Sequence, residues 1–183
     1  MGKLFKYIND NCLIQSEEGD CHYCKRPNVP SFDYNGVILN AEHAANPDLA
    51  RSDPDIFAAC ADCIDSGNIA KHNYELNEIR RCFRHLSGHV DVESAVERYN
   101  LIPHIPLMLQ NDDWPFCCDE WCEFHGNPST ESNIKSLLEE HEDWDFGPSD
   151  FQYADSLTPE SLREISLFRC FDCGKSYFIW QST

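Results

Sequence analysis

The sequence predicts a small α+β protein built as two cysteine-bearing lobes joined by a helical segment. Three observations carry that prediction. Cysteines recur in short-spaced pairs near both ends of the chain, apolar residues take helical spacing in the middle, and the last residues read as two strands joined by a cysteine turn. The divisions fall at 1–73 for the N-terminal lobe, 74–110 for the helical connection and 111–183 for the C-terminal lobe, all within one domain.

Each element has its own signal. Leu13 to Asn40 is turn-rich with short apolar stretches, so short strands and loops should surround Cys21 and Cys24. Residues 41–58 hold Pro47, Pro54 and several aspartates, which predicts an irregular connection. Leu76, Ile79, Phe83 and Leu86 predict a helix over 74–87, with Gly88 to stop it. Asp91 is placed as the N-cap of a second helix carrying Val92, Ala95, Val96 and Tyr99, with Pro103 and Pro106 ending it. Ser129 or Thr130 should cap a third helix with Ile134, Leu137 and Leu138. Thr158, Pro159 and Glu160 form a helix-start signal, and Leu167 to Trp180 reads as a strand, a turn and a strand.

The chain of 183 residues has 11 cysteines, eight of them in close pairs. Secreted chains use such numbers for disulfides, but the N-terminus shows no apolar run of signal-peptide length. The longest apolar runs, such as Ile105 to Leu109, fall far short of a membrane span. A cytoplasmic protein is expected, and there paired cysteines are metal ligands more often than disulfides. Cys21 and Cys24, Cys60 and Cys63, and Cys170 and Cys173 are each C-x2-C, while Cys118 and Cys122 are C-x3-C. One such pair supplies half a tetrahedron, so pairs should combine in twos. The sequential combination joins Cys21 and Cys24 to Cys60 and Cys63, and Cys118 and Cys122 to Cys170 and Cys173. Four soft thiolates select zinc over magnesium or calcium, so two structural Zn2+ sites in treble-clef or zinc-ribbon-like lobes are expected. Gly174 fits the left-handed position such turns need. Cys117 would be out of register and is read as a buried neighbour, with Cys12 and Cys82 as small hydrophobes.

The arrangement resembles the CbrC family of small bacterial proteins. Phe5-Lys-Tyr7 is similar to its opening motif, and Cys21-x2-Cys24 with Cys60-x2-Cys63-Ile64 and Gly67 to its first cysteine set. Gln110, Trp114 and Cys118-x3-Cys122-x-Phe124-x-Gly126 resemble its central block, and Leu167-Phe-Arg-Cys-x2-Cys-Gly174 its C-terminal knuckle. Ala61 stands where the family usually has proline, and the opening lacks the expected prolines after Tyr7. The resemblance implies a single CbrC-like domain, selects Cys118 over Cys117 as a ligand, and carries a link to colicin tolerance.

Function divides into three classes. An enzyme is not expected: no H-E-x2-H, no glycine-rich phosphate loop and no deaminase H-x-E with P-C-x2-C occurs. His85, His89, His104 and His141 are read as scattered surface or core residues. All-thiolate metal sites are closed and leave no place for substrate. Nucleic-acid binding is disfavoured by a net charge of −18, and Arg80, Arg81 and Arg84 have Glu75 and Glu78 as neighbours. Two four-thiolate zinc sites would lower that charge to about −22. No Lys or Arg occurs between Ser136 and Leu162, which hold eight acids along with Trp144, Phe146, Phe151 and Tyr153. Acids steer a cationic partner and aromatics anchor it. The expected partner site is therefore Glu139, Glu140, Glu142, Asp143, Trp144 and Asp145. The expected function is an immunity or tolerance-type protein that neutralises a basic toxin, a nuclease for preference, by stoichiometric binding. A structural zinc protein with an unrelated interaction role, or an enzyme, is the alternative, because charge runs usually face only water.

Overall fold

The computed structural model describes residues 2–41, 54–72, 90–103, 113–129, 132–144 and 157–181. Within them the chain is mixed α and β, with short helices and three small sheets. The predicted helix over 74–87, together with Cys82, His85 and His89, lies outside the described residues, as does His104. No helix among the described residues is long and apolar enough to cross a membrane.

The N-terminal lobe is a three-stranded antiparallel sheet. Strand β1 (Ser31–Ile38) is central, flanked by β2 (Ile56–Cys60) and β3 (Ile69–Lys71). Strand β2 begins inside the stretch expected to be irregular. Its Ile56, Ala58, Ala59 and Cys60 are buried, and that burial outweighs the turn composition that precedes them. A four-residue helix, α1 (Ala61–Ile64), follows β2 directly, so Cys60 and Cys63 sit at a strand end and inside a helical turn. Tyr34, Ile56, Ala59 and Ile69 close a small core around Cys21, Cys60 and Cys63.

Helix α2 (Val92–Tyr99) starts where Asp91 accepts a hydrogen bond from Ser94 N–H, the expected cap. It buries Ala95 and Tyr99. Helix α3 (Ile134–Glu140) is capped by Asn133 rather than by Ser129 or Thr130. Asn is as good a cap as Ser, and its position fixes which residues can form the first turn. Thr158 to Glu160 leads into a single 3-10 turn over Ser161–Glu164.

The C-terminal lobe has a two-stranded hairpin, β4 (Phe116–Cys117) and β5 (Glu120–Trp121). Beside it stands a four-stranded sheet of order β6-β8-β9-β7, with β6 over Glu123–Gly126, β7 over Glu142–Asp143, β8 over Ile165–Arg169 and β9 over Ser176–Trp180. The N-terminal segment lies along β6: Phe124 N–H donates to the Tyr7 carbonyl and Asn9 N–H to the Phe124 carbonyl. This covers an edge that would otherwise expose unpaired backbone groups.

One aromatic core unites the two lobes. Phe5, Tyr7 and Phe32 from the first join Tyr99, Trp114, Phe116, Trp121, Phe124, Phe168 and Tyr177. The indole N–H of Trp121 reaches the Ala95 carbonyl at 2.9 Å and that of Trp114 the Cys122 carbonyl at 2.7 Å. Both tryptophans are therefore buried without an unmet donor.

Candidate metal centres

Two groups of four cysteines converge, each with all sulfurs within 4.8 Å of one another. The first is Cys21, Cys24, Cys60 and Cys63; the second is Cys117, Cys118, Cys170 and Cys173. Four sulfurs bound tetrahedrally at about 2.3 Å from one ion stand about 3.8 Å apart. The sulfurs of Cys24 and Cys60 are 3.8 Å apart, and those of Cys117 are 3.7 Å from both Cys118 and Cys173. The spacing fits a four-thiolate metal site in both places.

The first site combines a turn with a strand–helix junction. Lys25 takes a left-handed φ of 56° and its N–H donates to the Cys21 carbonyl at 2.9 Å, closing the knuckle that aims Cys21 and Cys24 together. Arg26 then spans the site. Its Nε donates to Cys24 Sγ at 3.3 Å, and its Nη2 reaches Cys60 Sγ at 3.4 Å and Asp62 Oδ2 at 2.7 Å. The guanidinium and its neighbouring N–H bring the Cys24 thiol down to about 6. Burial pushes Cys21 up, but the backbone N–H groups of Cys24, Cys60 and Tyr23 more than offset it, and its net shift is downward. Burial raises Cys63.

The second site uses two different turns. Cys170 and Cys173 form a knuckle between β8 and β9, closed by Gly174 N–H to the Cys170 carbonyl at 3.2 Å. Gly174 has φ of 72°, as the turn chemistry predicts. The Lys175 N–H holds Cys173 down to about 7. The other half is the β4–β5 hairpin, whose two loop residues, Cys118 and Asp119, both have positive φ, 53° and 61°. That geometry matches the twist of a two-residue hairpin but is uncommon for a cysteine. It lets adjacent residues, one in the strand and one in the loop, present both sulfurs to the knuckle. Tyr177 Oη donates to Cys117 Sγ at 3.2 Å. Burial raises the Cys117 thiol.

This corrects the expected ligand set. Cys122 does not join the second group; Cys117 takes its place. The hairpin register explains why. Cys117 pairs with Glu120 at the tip, whereas Cys122 lies two residues beyond Glu120, about 7 Å along the strand. Cys122 is fully buried in the aromatic core, and burial raises its thiol further. A C-x3-C count presumes that the three intervening residues form the turn. Here the turn is Cys118-Asp119 itself. Positive φ at Cys118 is not visible in composition, though Asp at a hairpin's second loop position is a weak signal. Arg26 and Tyr177 are the other site residues the spacing argument missed, and only the proximity of Arg26 to Cys24 in sequence could have suggested one of them. Cys12 packs partly buried against the core, in keeping with a small hydrophobe.

The expected partner surface is divided by the fold. Glu139 and Glu140 are exposed at the end of α3. Glu142 is half-buried and ion-paired with Lys175. Asp143 is buried in β7, and Trp144 is buried with its ring 5.1 Å from that of Tyr177. Trp144 is thus a core residue and is not presented as a surface anchor: its place beside parallel-paired β7 turns it inward. Asp145 lies outside the described residues, as do Phe146, Phe151 and Tyr153. His141 is half-buried with its Nδ1 3.0 Å from the Leu137 carbonyl, a helix-terminal role.

No curated protein and no solved structure matches this chain. A family-level match covers residues 4–181, which takes in both four-cysteine groups and the aromatic core between them, and the chain belongs to UPF0167, an uncharacterised protein family.

Proposed function

We propose that this is a zinc-stabilised, acidic cytoplasmic protein of the immunity or tolerance type, which neutralises a basic toxin by stoichiometric binding. The observation that carries the reading is the charge, −18 on 183 residues. A field of that sign repels nucleic acid and anionic lipid and accelerates encounter with a cationic protein surface. A nuclease groove is such a surface. The resemblance to the CbrC family, with its link to colicin tolerance, supports the same direction.

Zinc is the proposed ion at both sites, in zinc-ribbon-like lobes. Four thiolates at tetrahedral spacing are closed to substrate and favour a soft, redox-inert ion. The metals then hold the scaffold and the acidic surface does the binding. Because Trp144 is buried, Glu139 and Glu140 are the contacts proposed from the described part of the acidic stretch.

Co-expression with nuclease toxins encoded beside the gene tests this reading. Rescue of growth, with a one-to-one complex that weakens steeply with salt, is expected. Glu139→Lys with Glu140→Lys should slow association by about tenfold through lost steering. A purified protein that binds none of those toxins would remove the reading.

A further inference from the structure

The hairpin that carries half of the second metal centre is too small to hold itself. Strands β4 and β5 have two residues each, and an isolated hairpin of that length is unstable in water. Both loop residues, Cys118 and Asp119, take left-handed φ values of 53° and 61°, a conformation that costs energy for any residue with a Cβ. Side chains from three parts of the chain converge on the residue that follows. The Glu120 carboxylate accepts from Lys6 Nζ at 2.6 Å, from the Tyr7 hydroxyl at 3.0 Å and from the Trp121 N–H at 3.0 Å. Arg98 of α2 places Nε 3.3 Å from the same carboxylate, and its Nη2 donates to the Asp119 carbonyl at 2.9 Å. Ser94, four residues earlier on α2, accepts from Arg98 Nη1 at 2.6 Å and so steadies the guanidinium. Tyr7 is buried, and its carbonyl accepts from the Phe124 N–H, which fixes the N-terminal segment in turn. At the first site Arg26 contacts sulfur directly. Here the contacts fall on the backbone and side chain that follow Cys117 and Cys118.

We propose that Glu120 is the positioning residue of the second metal centre, holding the Cys118–Asp119 loop in its left-handed form through Lys6, Tyr7 and Arg98. The role rests on reading the Cys117, Cys118, Cys170 and Cys173 group as a metal site. A loop ordered before the ion arrives leaves less ordering to be done on binding, so the ion is held more tightly and leaves more slowly. The N-terminal segment and α2 thereby set the lifetime of a metal whose four ligands all lie in the C-terminal lobe. The coupling is reciprocal, so the bound ion also helps to hold the N-terminal segment against β6.

The test is the rate of zinc transfer from the full-length, zinc-loaded protein to a colorimetric chelator at neutral pH. The phase missing from Cys118→Ser protein belongs to the second site. Glu120→Gln keeps the size of the side chain and an oxygen acceptor for Tyr7 and the Trp121 N–H, but loses both ion pairs. It should speed the second phase by about tenfold and leave the first phase unchanged. Lys6→Met should speed the second phase by about threefold, since that lysine is partly exposed, and Lys6→Arg should restore the parental rate. Adding Lys6→Met to Glu120→Gln should change little further, because the two residues act through one contact. A parental second phase in Glu120→Gln, an equal acceleration of both phases, or a Lys6→Arg protein as fast as Lys6→Met would each overturn the positioning role. Parent protein that carries only one zinc ion per chain would instead overturn the metal reading, and this role with it.

Discussion

The two four-cysteine groups share a sulfur geometry and differ in almost everything around it. The first has Cys21, Cys60 and Cys63 buried and Cys24 half-buried, with an arginine bridging two of its sulfurs. The second has Cys170 buried, Cys117 half-buried, and Cys118 and Cys173 exposed, with a tyrosine hydroxyl as its outer contact. A guanidinium offsets thiolate charge; a phenol only donates to it. The first group therefore lies beside a cation inside the small core of its lobe, while the second sits at the surface of a larger aromatic core. The comparison teaches that equal ligand sets need not carry equal structural weight. The first site substitutes for a core, and the second decorates one.

The largest effect that could break this comparison is on folding. Cys60→Ser should abolish the N-terminal lobe, because a four-thiolate metal contributes on the order of 10 kcal/mol and the lobe has little other core. Cys118→Ser should release the second metal yet leave the aromatic core cooperative in thermal melts. Equal losses of structure in the two variants would show the sites to be equivalent. Next in size is Trp144→Ala, which should cost about 3–5 kcal/mol in denaturant unfolding if the ring is a core element against Tyr177. Near-parental stability would return Trp144 to the surface.

Acid should separate the sites by proton competition. A thiol whose pKa is depressed stays deprotonated, and keeps its metal, to lower pH. The first group has two lowered thiols, Cys21 and Cys24, the latter at about 6, and one raised by burial, Cys63. The second has one, Cys173 at about 7, while Cys117 and Cys118 are raised. As pH falls, the second metal should leave first, seen as a two-step release to a colorimetric chelator. The smallest effect is that of the arginine alone. Arg26→Gln should speed metal transfer from the first site by about threefold to tenfold and leave the second unchanged, since exposed charge-assisted contacts are individually modest. An unaltered rate would mean that burial by itself protects the first site.

Much of this was legible from spacing. Helix α2 and its Asp91 cap, the two C-terminal strands and the left-handed Gly174 follow from periodicity and turn chemistry. Strand β2 was hidden because its turn-rich flank dominates the local composition, while the packing of Ile56 and Ala59 against Tyr34 is tertiary. Cys117 was hidden for a sharper reason. Which of three crowded cysteines reaches the metal depends on two backbone φ values, and a cysteine at positive φ has no sequence signature. Trp144 looked like an anchor because its neighbours are acidic, yet β7 pairs parallel with β9 and turns the ring inward.

The most direct measurement is metal content per chain in Cys117→Ser and Cys122→Ser, by elemental analysis of folded protein. Loss of one of two ions from the first variant and retention of both in the second is the predicted result. Two ions kept by Cys117→Ser and one lost from Cys122→Ser would contradict the hairpin geometry on which the second centre rests.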